Sequence, residues 1–135
     1  MYWPGTADSA RLAEMSEAAG VASECIFCKI AARKVPADIV HASDRVVAFR
    51  DVNPKAPTHI LLISKEHVPS VADVTEDHAE MLAELIRSAH HLARAEGIDR
   101  TGWRLVTNVG PDAGQSVYHL HFHLLGGRGM AWPPG

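Results

Sequence analysis

Three histidines recur at every second position in His119-Leu120-His121-Phe122-His123-Leu124-Leu125. In an extended strand this spacing sends the three imidazoles to one face and Leu120, Phe122 and Leu124 to the other. A neutral imidazole, whose ordinary pKa is about 6.5, is a nucleophile near pH 7 without prior deprotonation. If it attacks phosphorus, the N–P bond that forms is one that water can later break, so a difficult substitution becomes two easier ones. Alternate residues stand about 6.6–6.8 Å apart, which separates the outer pair by about 13 Å. One ion cannot easily gather all three rings, so the three must divide the work. A His-x-His metal pair and a merely polar strand face are the competing readings.

The loop before this strand, Gly110-Pro111-Asp112-Ala113-Gly114-Gln115-Ser116, offers what a phosphate needs: main-chain N–H groups, the conformational freedom of Gly114, and the Ser116 hydroxyl. On its own the loop reads as a turn. Beside the histidine strand it reads as a phosphate cradle.

The elements that position these groups follow from pattern. Ile26, Phe27 and Ile30 fall at helical spacing and predict a short helix ending before Val35-Pro36. Residues 38–43 and 45–50 read as a β-hairpin, and Asn53-Pro54 and Ala56-Pro57 as an extended connection. His59 to Ser64 is apolar on both faces and predicts a central strand. Thr75 is placed to cap a helix running to Glu96, with Leu82, Leu85, Ile86, Ala89, Leu92 and Ala93 as its apolar stripe and Gly97 as its stop. Strands are expected at 103–109 and 119–125. Strands that follow one another with helices between them predict an α+β domain with a mainly antiparallel sheet. Residues 1–24 read as a flexible or weakly helical extension and residues 25–135 as the single domain.

The chain has 135 residues, enough for one buried core and too few for two. Hydrophobic residues make up 47% and charged residues 21%, which excludes the disordered and fibrous classes. With 13 Lys and Arg against 16 Asp and Glu, the net charge of -3 argues against a general nucleic-acid binder. No apolar run approaches the roughly 20 residues of a membrane span, and the first residues lack the features of a signal peptide. The expectation is a cytoplasmic protein without a membrane or nucleic-acid partner.

Gln115-Ser116-Val117-Tyr118-His119-Leu120-His121-Phe122-His123-Leu124-Leu125 resembles the signature of the histidine triad (HIT) superfamily. The ending Gly126-Gly127-Arg128 through Trp132-Pro133-Pro134-Gly135 is similar to its Hint branch of nucleotide-binding proteins, and the likeness extends back through residues 49–59 to Ile26-Phe27. The resemblance implies a HIT-like fold of five strands with one long and one short helix, two such sheets joining across a homodimer. It implies a bound purine nucleoside monophosphate or phosphoramidate, with no organic cofactor. Carried over by position, His121 is the nucleophile that becomes transiently nucleotidylated. His123, Ser116 and Asn108 contact phosphate or leaving group beside Gly114 and Gln115. Asp51 holds the ribose, and Ile26, Phe27 and Val52 sandwich the base. His123, Ser116 and His59 are the candidate proton donors to a leaving amine, among which the sequence does not choose.

Cys25-x-x-Cys28 is too closely spaced to staple a fold, and the βαβ setting of a thioredoxin-like redox pair is missing. With His67 and His119 the pair would complete a four-ligand structural zinc site, the alternative being two reduced, partly buried thiols. His41 reads as a hairpin surface residue, and His78, His90 and His91, on or near the long helix, as solvated or helix-facing residues outside the chemistry. The function expected is a phosphoramidase-type hydrolase that releases AMP or GMP and acts also on acyl or aminoacyl adenylates. A dinucleoside polyphosphate hydrolase, or a nucleotide-binding regulatory protein with incidental catalysis, are the alternatives.

Overall fold

Strand β3 (Thr58–Ser64) has the sequence THILLIS, every residue of which is buried, and the rest of the fold is arranged about it. The structure is a computed structural model that describes residues 24–135; the expectation for the preceding extension lies, Glu24 apart, outside the described residues. Helix α1 (Ile26–Ala31) leads into the hairpin β1 (Ile39–Ala42) and β2 (Val46–Arg50), then β3, helix α2 (Ala79–Ala95), β4 (Trp103–Val106) and β5 (His121–Gly126). The strands form one sheet in the order β1-β2-β3-β5-β4, antiparallel at every pairing. The α+β class and the five-stranded sheet expected from sequence are thus found.

Because side chains alternate along a strand, β3 supplies both cores. Ile60 and Leu62 pack with Val46, Ala48, Leu120 and Leu124 against Met81, Leu85, Ala89 and Leu92 of α2. Leu61 and Ile63 pack on the other face with Val47, Phe49, Phe27 and Ile30. Each fully buried aliphatic side chain contributes about 1.5–3 kcal/mol, so β3 is the least replaceable element. The α2 stripe differs from expectation at three positions: Ile86 is 48% exposed, and Met81 and Ser88 are buried instead.

The helix ends are set by backbone geometry. In α2, Gly97 at φ +74° closes the helix with Gly97 N–H to Arg94 O at 3.1 Å and Ile98 N–H to Ala93 O at 3.0 Å, as its place in the sequence suggests. In α1 the same double closure, Arg33 N–H to Ile30 O at 3.0 Å and Lys34 N–H to Lys29 O at 2.8 Å, is made with Arg33 at φ +60°. The helix therefore stops ahead of Val35-Pro36, at a left-handed residue that is not glycine. Thr75 caps the 3-10 turn Glu76–His78 instead of the α-helix itself, with its amide donating to His78 Nδ1 at 2.9 Å.

Of the strands, β4 and β5 depart most from the expected bounds. β4 ends at Val106, short of 109, because Val106 already pairs with His123 near the start of β5, and the Thr107 hydroxyl then donates to His121 O at 2.8 Å. His119 lies before β5, since the next amide, Leu120 N–H, is drawn 2.6 Å to Val68 O outside the ladder. Among the described residues, no helix is long and apolar enough to cross a membrane.

Candidate active site and metal cluster

Strand alternation places His121 and His123 on the α1 face of the sheet, level with Ile63 and Leu61 of β3. His121 is buried, and its ring packs nearly perpendicular to that of Phe27, with centroids 5.1 Å apart. Its Nδ1 lies 2.6 Å from the main-chain oxygen of His119. A carbonyl oxygen only accepts, so Nδ1 carries the proton and Nε2 keeps its lone pair. Burial holds the His121 pKa below its usual value, the carbonyl opposing this, so the ring is a neutral base at pH 7.

A second chain of bonds fixes His123. The Lys55 amide donates to His59 Nδ1 at 3.0 Å, so the neutral His59 carries its proton on Nε2. That nitrogen is 2.9 Å from His123 Nδ1 and 3.4 Å from Asp51 Oδ2. His123 therefore accepts at Nδ1 and presents an N–H at Nε2. Burial, with the neighbouring imidazoles of His121 and His59, pushes the His123 pKa down to about 4. Burial also lowers that of His59, against the opposing carboxylate of Asp51. His59, Asp51, His123 and Asn108 line a single cleft of about 330 Å³.

The remaining residues of the expected nucleotide site are spread around this centre. Phe27 is buried and contacts Phe49 and His119 as well as His121, so it is core and site wall at once. Ile26 is 45% exposed and Val52 wholly so. Ser116 and Gly114 are exposed, Gly114 at φ +82° with its amide donating to Pro111 O. Gln115 stands apart from this group. Its side chain is buried, accepting from Gly110 N–H at 3.0 Å and donating to Pro69 O at 2.8 Å and Val117 O at 3.1 Å. Its side-chain amide shapes the loop through these three bonds.

Cys25, Cys28, His67 and His119 converge so that one donor atom of each lies within 4.8 Å of all the others. His119 Nδ1 is 3.3 Å from Cys25 Sγ and 3.5 Å from Cys28 Sγ, and His67 Nδ1 is 3.3 Å from Cys28 Sγ. The Nε2 of His119 lies 2.6 Å from Ser64 O and so bears the proton, leaving Nδ1 free as a ligand. Burial and the adjacent Cys25 push the Cys28 thiol up to about 11, and a bound cation is what would turn it to thiolate at neutral pH. The donor set, tautomer and spacing fit a four-coordinate zinc ion.

Several groups that hold this centre have no signature in the sequence. The carbonyls of His119 and Ser64 and the amide of Lys55 are main-chain atoms, and Thr107 acts through one hydroxyl. Only the fold brings them to the rings. His41, expected at the surface, is half-buried 5.5 Å from His91; of the helix histidines, His90 stacks on Trp103 and His78 pairs with Glu66 at 2.7 Å.

The sequence profile of the HIT domain matches residues 32–130 of the chain. The chain belongs to the HIT domain family. A HIT family hydrolase from Legionella pneumophila Philadelphia 1 is 51% identical and superposes with a TM-score of 0.81, over 83% of this chain and all of that one. The purine nucleoside phosphoramidase of Escherichia coli K12 is 49% identical over 108 residues, 80% of this HIT chain and 91% of the relative. A 14 kDa zinc-binding protein of Zea mays is 48% identical over 115 residues, 84% of this chain and 89% of that protein.

Proposed function

We propose that this HIT protein is a purine nucleoside phosphoramidase working through a nucleotidyl-histidine. The reading rests on one observation above the others: His121 is neutral, buried, and fixed with the Nε2 lone pair free by the His119 carbonyl. Its 49% identity to a purine nucleoside phosphoramidase supports the same activity. In the first half-reaction Nε2 bonds to the α-phosphorus while the P–N bond breaks, the electron pair leaving on nitrogen with a proton from the surroundings. In the second, water bonds to phosphorus, the Nε2–P bond breaks, and that proton is returned as AMP or GMP departs.

The other residues take roles that their places support. His123 offers its Nε2–H to phosphate oxygens or the leaving group, with the loop around Gly114 and Ser116 and the amide of Asn108 beside it. His59 acts through His123 as a positioning residue, since its Nε2–H is directed to His123 Nδ1. Asp51 receives the ribose, and Ile26, Phe27 and Val52 flank the base. Gln115 serves the site by holding the loop. Acyl and aminoacyl adenylates present the same phosphorus to His121.

Cys25, Cys28, His67 and His119 would hold a structural zinc, which supplies a fixed tetrahedral anchor there; the zinc-binding protein of Zea mays is a relative of the same size. Two reduced thiols suit a cytoplasmic setting. The edge of β4, unpaired among the described residues, and exposed Trp132 support pairing of two sheets in a homodimer.

Turnover of adenosine 5′-phosphoramidate and of a diadenosine polyphosphate by the same preparation tests the substrate class. The expected kcat/KM favours the phosphoramidate at least about tenfold. The reverse preference would contradict the reading.

A further inference from the structure

His119 belongs to two constellations at once. Its ring faces Cys25 and Cys28 at 3.3 and 3.5 Å, and its carbonyl accepts the Nδ1–H of His121 at 2.6 Å. Its ring and its carbonyl thus link the sulfur cluster directly to the nucleophile.

The surrounding bonds strengthen this link. The segment from Ser64 to Pro69, which carries His67, holds the start of the catalytic strand: Ser64 O takes His119 Nε2–H at 2.6 Å and Val68 O takes Leu120 N–H at 2.6 Å. Pro69 O takes the side-chain amide of Gln115, which closes the loop before that strand. On the far side, Cys25 caps α1, and Phe27 of that helix touches both His119 and His121. The cluster therefore joins three pieces of chain, residues 25–31, 64–69 and 115–121, that all bear on one imidazole. His119 itself lies outside the β ladder, so regular sheet bonding does not fix it.

We propose that metal held by Cys25, Cys28, His67 and His119 sets the position of the His121 imidazole, so that occupancy of the cluster governs nucleotidyl transfer although the metal never meets substrate. The inference rests on the zinc and phosphoramidase readings above and adds a role to them: the cluster positions a nucleophile as well as bracing a fold. Groups that orient a reactive ligand without touching substrate typically matter about 10–100-fold in activity.

The test begins with metal content of the purified protein and its zinc uptake. It then compares zinc-loaded and chelated protein under conditions where circular dichroism shows both folded. Three readings are taken: the rate of nucleotidyl-His121 formation, amide exchange at Leu120, and the imidazole Nδ1–H proton resonance of His121. The expected result for chelated protein is adduct formation slowed about tenfold or more, with AMP Kd changed less than about threefold. Leu120 should lose protection and the His121 resonance should shift or broaden, while exchange at Ala48 and Leu62 in β2 and β3 stays unchanged.

Equal adduct rates with an unmoved His121 resonance would overturn the inference and leave the zinc reading standing. Failure to bind zinc at all, below about 0.2 equivalents, would instead remove the metal reading on which it rests. Absence of any adduct in the loaded protein would count against the phosphoramidase reading, while the resonance and exchange data still judge the coupling. If chelation unfolds the chain, His67→Asn, which removes a ligand outside the catalytic strand, is read in the same way. Should that variant also unfold, the cluster holds the fold as a whole and the inference is wrong.

Discussion

The Nδ1–H of His121 points at the carbonyl oxygen of His119, two residues earlier, across 2.6 Å. A strand would ordinarily spend that carbonyl in its ladder. Here His119 precedes the ladder, and the oxygen is free to fix a tautomer. The free lone pair at Nε2 is a consequence of where β5 begins.

The pH dependence of turnover follows from burial of this ring. His121 has its pKa lowered from 6.5, so its unprotonated form persists to lower pH than that of an exposed histidine. The acid limb of kcat/KM is expected to have its midpoint below pH 6.5. A pH–rate profile checks this, and a midpoint above 6.5 would mean the ring is not desolvated in the free enzyme.

Stability should fall over a related interval. His123 titrates near 4 when folded against 6.5 as its ordinary value, so at intermediate pH the unfolded chain binds a proton that the folded chain does not. The stabilising contribution of neutral His123 is complete above 6.5 and is lost as pH falls toward 4. Thermal melts of wild type and His123→Gln across this range should show a shallower decline in the variant. Parallel curves would contradict the assignment.

His59→Asn tests the second histidine relay. Losing the Nε2–H that fixes His123 Nδ1 should lower kcat about 10–100-fold while AMP Kd changes less than about threefold. Steady-state kinetics with a separate binding measurement distinguish this from simple loss of affinity.

Gln115→Ala should act on stability as well as rate, because three buried bonds are lost and Gly110 N–H, Pro69 O and Val117 O are left without that partner. A loss of about 1–3 kcal/mol by denaturant titration is expected. By contrast, Arg33→Gly relieves a left-handed residue at φ +60° and should add about 0.5–1 kcal/mol, the left-handed penalty less the entropy of glycine.

What the sequence made legible was whatever depends on period and side-chain type. The alternation around His121, the doubly buried strand His59 to Ser64, the stop at Gly97 and the donor set of Cys25, Cys28, His67 and His119 are all of this kind. What escaped it depends on where one segment meets another. Ile86 fits a helical stripe as well as Met81 does, and only the sheet beneath decides which faces inward. His59 carries no mark in the sequence of its two partners, the Lys55 amide and His123 Nδ1, which only the fold brings beside it. Gln115 sits inside the loop expected to cradle phosphate, yet its side-chain amide is bonded to main-chain groups.

Mass-spectrometric mapping of protein quenched during turnover of adenosine 5′-phosphoramidate, without acid, tests covalent catalysis by His121 most directly. The expected product is a single adenylyl adduct on His121, absent from His121→Gln, whose activity falls at least about a thousandfold. An adduct on another residue, or a His121→Gln variant that keeps most of its activity, would contradict it.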